Sequence, residues 1–470
     1  MTDIVYTPAL LPEYAGNPLI ESLPPMGRTS EEMLKAMSSK PSFSPDERLL
    51  PAYVRREMVY RLTELFVPMP VHYDLLEELS ICVRRSYAWR NPLTPETQAY
   101  LHHPCASAVA GRFLSIRAAS SFLLLVKGVS GNGKSKAIEA CLRALGPQVV
   151  RHRSYQGVDL HETQLVWLKV SCPEDRSLKT LCLSILRAAD AALGDRKYAT
   201  PERLDPRVSA GLLVDAVFTC LANEHVGVLA VDELQNIFAS KGTAAVEMLN
   251  FLLRLKDESG VCQILCGTYA ALQLLGQKFR LARRIAGGEV ELMLPGDASD
   301  PDWQSLAQIL WHFQWLPKPL EYKSHHGEVL FDLTRGVRGV AVWLFILTQA
   351  DAIRSGADSI SEVDLRDTWR RRFSQLDKAM AALRSGRPSD LARWDDLCDT
   401  LTLEKLCQKK APDPVSQGPA TSSAKPGSAK AKAKVPDEGR GSESINELDK
   451  LKYAGGLDEL ADEGVVGLPE

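Results

Sequence analysis

The octapeptide GVSGNGKS, Gly128 to Ser135, constrains this chain more than any other feature. It matches G-x-x-x-x-G-K-[ST]. Glycines let such a loop curl so that its backbone N–H groups point at phosphate oxygens, and the helix that follows adds positive potential at its N-terminus. Lys134 then reaches the β- and γ-phosphates, and the Ser135 hydroxyl faces a magnesium ion. A plain glycine turn is the alternative. The flanks speak against it: the apolar run FLLLV comes before the loop, and the helix-forming KAIEACLRAL comes after it. The nucleotide-contacting set is therefore Gly128, Ser130, Gly131, Asn132, Gly133, Lys134 and Ser135, with Lys136 at its end.

A site of this kind needs carboxylates on a neighbouring strand. VGVLAVDELQ supplies them: an apolar run ends in Asp232 and Glu233. Asp232 is placed to hold Mg²⁺ together with Ser135, and Glu233 to orient and deprotonate the attacking water. The other reading of the pair is a helix cap. The next apolar run, VCQILCG, leads into Thr268, either a polar sensor of the γ-phosphate or an ordinary turn residue. In KFRLARRIAGG, Arg280, Arg283 and Arg284 share one helical face by i, i+3, i+4 spacing. That face is either solvated or aimed at the γ-phosphate of a neighbouring subunit.

Around these motifs the pattern is α/β. SFLLLVKG, LVWLKVSC, VGVLAVDE, VCQILCG and VELMLP read as buried parallel strands, with helix-period stretches between most of them. Residues 1–50 form a Pro-, Ser- and Glu-rich arm with little core of its own, and 51–118 a helical N-terminal extension. Residues 119–299 make the α/β nucleotide core and 300–400 a helical lid, in which Trp303, Trp311 and Trp315 are expected as core. An Ala/Pro/Ser/Gly/Lys-rich linker, 401–440, reads as disordered. The segment 441–470 is acidic yet keeps Leu448, Leu451, Tyr453, Leu457 and Leu460, so it is either a frayed tail or a docking motif.

Composition excludes several classes. With 56 Lys+Arg against 59 Asp+Glu, a net charge of −3 does not suit a protein that coats nucleic acid by bulk attraction. The run VAVWLFIL is far short of the ~20 apolar residues that span a bilayer, so no membrane association is expected. The ten cysteines include no C-x-x-C pair, and HHPC (His102, His103, Cys105) lacks a second pair of ligands, so a zinc site is not supported. Reduced thiols and a start without a signal-peptide pattern fit a cytoplasmic protein.

Taken in order, the motifs resemble the AAA+ ATPases. NPLIESLPP, SYAWRNPLT, VDELQNI, EMLNFLLRL, CGT and LARRIAGG narrow the resemblance to the TnsC family, the AAA+ regulators of bacterial TnsABC-type transposition related to TniB, with gaps from about residue 15 to 400. The resemblance implies an AAA+ P-loop parallel-sheet domain with a helical lid, a helical N-terminal extension and a disordered C-terminal tail. It implies an ATPase using ATP and Mg²⁺ that assembles on double-stranded DNA as a homo-oligomeric ring, heptameric or hexameric, or as a filament. Such proteins link a target-selection protein (TnsD-like or TniQ-like, the latter in RNA-guided systems) to TnsA/TnsB-like transposase subunits, and hydrolysis disassembles the complex.

On this chain the resemblance gives Lys134, Asp232, Glu233 and Thr268 catalytic roles, makes Arg283 or Arg284 the trans finger, and puts DNA contacts at Lys179 and Thr200. For Lys179 a solvated helix end remains the plain alternative. The lid arginine that the resemblance implies near Val340 is missing, and Arg335 and Arg338 are the neighbouring candidates. The linker and acidic tail lie outside the resemblance. A replication-initiator or helicase-loader ATPase shares the same core motifs and is the alternative function. No DDE-like constellation is legible, so strand cleavage falls to a partner.

Overall fold

The computed structural model describes residues 4–101, 122–238, 243–269, 288–385 and 387. Its centre is a five-stranded, all-parallel sheet. The strands are β1 (Leu123–Gly128), β2 (Trp167–Ser171), β3 (Val228–Asp232), β4 (Cys262–Gly267) and β5 (Glu289–Leu292). Their spatial order is β2-β3-β4-β1-β5. Burial explains the composition of each. Central β3 and β4 are buried at every position, so they read as near-continuous apolar runs, interrupted by Gln263, whose amide donates to the Leu252 carbonyl at 2.9 Å, and closed by Asp232. Edge strand β2 alternates partly buried and buried positions, which leaves room for the charge of Lys169 in WLKVS.

Helices cover both faces. The helix after β1, Lys134–Ala144, follows the glycine loop. Among the helices ahead of it in the chain are α1 (Pro18–Glu21), α2 (Ser30–Met37) and α3 (Pro70–Ala88), which pack beside it or on one another, and the loop helix is called α4. On the other side of the sheet α5 (Leu178–Leu193), α6 (Pro201–Leu204), α7 (Ala210–Asn223) and α8 (Thr243–Ser259) complete the layer. The apolar faces of α5, α7 and α8 meet β2 and β3 in one cluster that includes Leu181, Ile185, Phe218, Leu229 and Val231. The strands at 149–165, two short antiparallel pairs, have no counterpart in the sequence reading.

The N-terminal arm does not stand off from this core. Leu19, Ile20, Leu23 and Met37 are buried against α3, α4 and the other sheet face. Buried polar groups fix the arm in place. The Asn17 amide donates to the Tyr87 carbonyl at 2.8 Å, and the Glu21 carboxylate accepts from Tyr155 Oη at 2.6 Å and from Gly16 N at 3.1 Å. The Asn91 amide donates to the Gly16 carbonyl at 3.1 Å. NPLIESLPP and SYAWRNPLT, far apart in sequence, thus face one another. A Pro-rich stretch can order itself here because these long-range bonds satisfy its backbone.

The lid comprises α9 (Pro301–His312), α10 (Ser324–Thr334), α11 (Arg338–Ser355), α12 (Glu362–Arg372) and α13 (Asp377–Ser385). Trp303, Trp311 and Trp315 are fully buried in its core, as their spacing predicts. Val59, Leu62 and Leu65 from the N-terminal extension enter the same cluster, so the extension and the lid share a core beside the glycine loop. Among the described residues no helix is long and apolar enough to cross a membrane. The tail and linker, 401–470, and the arginines at 280, 283 and 284 lie outside the described residues.

Candidate nucleotide site

The parallel sheet puts the ends of β1, β3 and β4 side by side, and each ends in a motif. Gly131 and Gly133 have φ of +77° and +89°, in the left-handed region that favours glycine, so the loop turns tightly enough to start α4 at Lys134. Gly128 is needed for a different reason. A Cβ there would lie 2.8 Å from the Leu292 carbonyl of β5. The Lys134 ammonium lies 3.0 Å from both the Gly128 and Val129 carbonyls, over the start of the loop.

Asn132 is the interior brace of the loop. It is almost fully buried. Its amide donates to the Leu292 carbonyl at 2.7 Å and to the Met293 carbonyl at 3.3 Å. Its Oδ1 accepts from Arg338 Nη1 at 2.9 Å. The lid touches the loop a second time one residue further on, where Gly339 N donates to the Gly131 carbonyl at 2.9 Å. Of the two lid arginines, Arg338 therefore sits on the loop. Arg335 caps α10 in the left-handed region and pairs with Asp332 at 2.9 Å. Burial lowers the Arg338 pKa from its ordinary value, partly opposed by Asp302 and Asp300.

The acidic pair follows β3. Asp232 is buried; burial alone would raise its carboxyl, but the Ser135 hydroxyl, the Glu233 amide and Lys169 outweigh it and hold the group below the usual carboxylate range. Ser135, in the first turn of α4, lies close enough to Asp232 for its hydroxyl to help lower that carboxyl. A hydroxyl and a buried carboxylate meeting at the mouth of a glycine loop form the oxygen donor set that suits Mg²⁺, which takes one or two carboxylates and fills its other positions with water and phosphate. Glu233 is exposed and adopts φ +57°, unusual for a residue with a side chain. Leu234 N pairs with the Cys266 carbonyl at 2.9 Å and so pins the turn to β4. The strain is held by this framework and turns Glu233 out of the sheet.

Thr268 lies just past β4, between the strands that carry the loop and the acidic pair. It is buried, and its hydroxyl has no hydrogen-bond partner. An unmatched buried hydroxyl costs free energy, which is the expected state of a group whose partner is a ligand.

One residue near the site escaped the sequence reading, and one that it included has a partner it did not foresee. Lys169, on β2, lies 2.6 Å from Glu139 of α4 and 3.3 Å from Asp232. A lone lysine inside an apolar strand, in register two residues from the position that pairs with Asp232, was the available signal. Lys136 bonds the Thr63 carbonyl of the N-terminal extension, and burial lowers its pKa with Glu139 opposing.

The two residues to which the resemblance assigns DNA contact lie on the helices that follow β2 in the chain. Lys179, in the first turn of α5, reaches the Pro206 carbonyl at 3.3 Å. Thr200 is the N-cap of α6, with no side-chain cap hydrogen bond. The loop between them is shaped by Asp190, whose carboxylate accepts the N–H groups of Lys197, Tyr198 and Ala199 at 2.7–3.1 Å. Arg283 and Arg284 lie outside the described residues.

Residues 119–275 match the family model described as an AAA domain. No curated protein matches the chain. Solved structures with a similar arrangement include the ORC2 protein of Aeropyrum pernix in ADPNP and ADP complexes: TM-score 0.39, 14% identity, 64% of this chain and 84% of that one. Cdc6p of Pyrobaculum aerophilum gives TM-score 0.42 and 11% identity over 78% of this chain and 84% of its own. The Thermotoga maritima RuvB branch-migration motor gives 0.35 and 14% over 67% and 94%.

Proposed function

We propose that this AAA-domain chain is an ATPase that regulates DNA transposition, assembling on double-stranded DNA in its ATP state and linking a target-selection protein to a transposase. The observation that carries the ATPase reading is the meeting of three strand ends. The glycine loop with Ser135 behind it, the buried Asp232 and the unpartnered Thr268 hydroxyl lie side by side, with Glu233 turned outward beside them.

In this reading the loop amides and Lys134 bind the phosphates, and Ser135 and Asp232 hold Mg²⁺. When bound, the ion neutralises charge on the β- and γ-oxygens. Glu233 orients a water for in-line attack and takes its proton. Thr268 donates its hydroxyl to the γ-phosphate or that water. Arg338, held on Asn132, supplies lid charge near the phosphates. An arginine of a neighbouring subunit, Arg283 or Arg284, stabilises the transition-state charge, which makes hydrolysis depend on assembly.

The transposition reading rests on the resemblance to the TnsC family. It gains support from the mutual bonding of the arm motif and SYAWRNPLT through Asn17, Tyr87, Asn91 and Gly16. Lys179 and Thr200, repeated around an oligomer, would give salt-dependent and sequence-blind DNA contact. The acidic segment 441–470 would dock a transposase subunit.

The test is electron microscopy of the full chain on double-stranded DNA with Mg-ATP, with ADP, and with Lys134→Ala. The expected result is rings or filaments only with ATP and intact Lys134. A pull-down of transposase subunits by the full chain, lost when 441–470 are removed, separates this reading from an initiator or helicase loader. A protein that stays monomeric and off DNA in every state, with partners added, overturns it.

A further inference from the structure

Lys169 is a cation that stands directly beside the candidate metal carboxylate. Its ammonium, a fifth exposed, sits between two anions, at 3.3 Å from Asp232 Oδ2 and 2.6 Å from Glu139 Oε1. Each partner comes from a different element: Asp232 ends β3, Glu139 lies on the helix that the glycine loop starts, and Lys169 itself stands on the edge strand β2. Asp232 has another bond that keeps it in place, from the Glu233 amide at 2.9 Å, and the nearby Ser135 hydroxyl also lowers its carboxyl. Lys169 is therefore not needed to satisfy the carboxylate. What it adds is a positive charge within a few ångströms of the position a divalent cation would take.

We propose that Lys169 is a positioning residue that tunes divalent-ion affinity: its ammonium competes with the metal for Asp232, and Glu139 is the alternative partner that draws it aside. The proposal rests on the reading of Ser135 and Asp232 as the metal site. A like charge beside a cation weakens its binding, and the distance sets the size. At about 5 Å with water-like screening, a monocation and a dication repel enough to change affinity on the order of tenfold. Glu139 is half exposed, so its pull on Lys169 is smaller, about threefold. The opposite signs of the two effects distinguish this role from packing, because loss of a merely structural contact weakens the site at either residue.

The experiment is Mn²⁺ titration of the full chain with ADP, read by electron paramagnetic resonance of the free ion. Lys169→Gln is expected to tighten Mn²⁺ binding on the order of tenfold. Lys169→Arg, which keeps the charge, should leave it near wild type. Glu139→Gln is expected to weaken binding about threefold and to have no effect in the Lys169→Gln background. Unchanged or weaker binding in Lys169→Gln, or a Glu139→Gln effect that persists without Lys169, overturns the proposal. The underlying reading is checked separately: Asp232→Asn and Ser135→Ala should each reduce Mn²⁺ binding, and if neither does, the metal site is elsewhere.

Discussion

The contact between Asn132 and Arg338 joins the glycine loop to the lid across 206 residues of chain, and a double-mutant cycle measures it. Asn132→Ala deletes three bonds, to Leu292, Met293 and Arg338, at 2.7, 3.3 and 2.9 Å. Two are neutral and worth about 1 kcal/mol each; the one to the guanidinium is worth about 1.5–3 kcal/mol. The substitution also strips a partner from a half-buried charge whose Nε already lacks one. A loss of about 3–5 kcal/mol follows. Arg338→Met should cost far less, because it removes the half-buried charge together with its unmatched Nε. The double variant should then recover a coupling energy of about 1.5–3 kcal/mol. Urea unfolding followed by tryptophan fluorescence reads this well, since Trp303, Trp311 and Trp315 are fully buried in the lid core. Additivity of the two substitutions within about 0.5 kcal/mol would refute the claim that these side chains hold the lid on the loop.

Three further outcomes are expected. Thr268→Val replaces an unpartnered buried hydroxyl by a methyl group, so stability should rise by up to about 1 kcal/mol while ATP turnover falls at least about tenfold; equal turnover would remove Thr268 from the site. Gly339→Ala would place a Cβ 2.6 Å from the Gly131 carbonyl, so the lid must shift, at a cost of about 1–3 kcal/mol and with weaker nucleotide binding by calorimetry; wild-type affinity and melting would show that the contact is not tight. His72 is buried and accepts the Met69 N–H at 2.9 Å; burial, with Arg338 nearby, lowers its pKa from 6.5 to about 4. The unfolded chain then binds the extra proton first, so this contribution is complete above pH 6.5 and lost as pH falls toward 4, by about 3 kcal/mol. His72→Gln should flatten that part of the acid limb in urea titrations, and parallel limbs in the two proteins would argue against it.

How much of this was legible beforehand depends on the range of the forces involved. The strands of the sheet were readable because a strand buried on both faces must be apolar at nearly every position, and β3 and β4 are. The glycine loop was readable because backbone with positive φ selects Gly131 and Gly133 locally. The lid tryptophans were readable from helical spacing. The short strands at 149–165 were not, because two- and three-residue pairings leave no periodicity.

The composition of the first 50 residues suggested an arm with little core of its own, and by itself it has little. Its order comes from Asn17, Glu21 and Asn91, polar residues whose value lies in partners 70 or more positions away for the first, and across the fold for the others. The lid arginine shows the same limit. The resemblance implied one near Val340, but α11 begins at Arg338, and the close approach of Gly339 to Gly131 aims that first side chain at Asn132.

The sequence alone thus determined the parts whose physics is local: apolar strands, a glycine-shaped loop, a carboxylate pair closing a strand. Only the tertiary structure decided which charges meet. Lys169 between Glu139 and Asp232, and Arg338 on Asn132, are pairings between distant elements. Electrostatic energy depends on separation in space, and no local pattern encodes it.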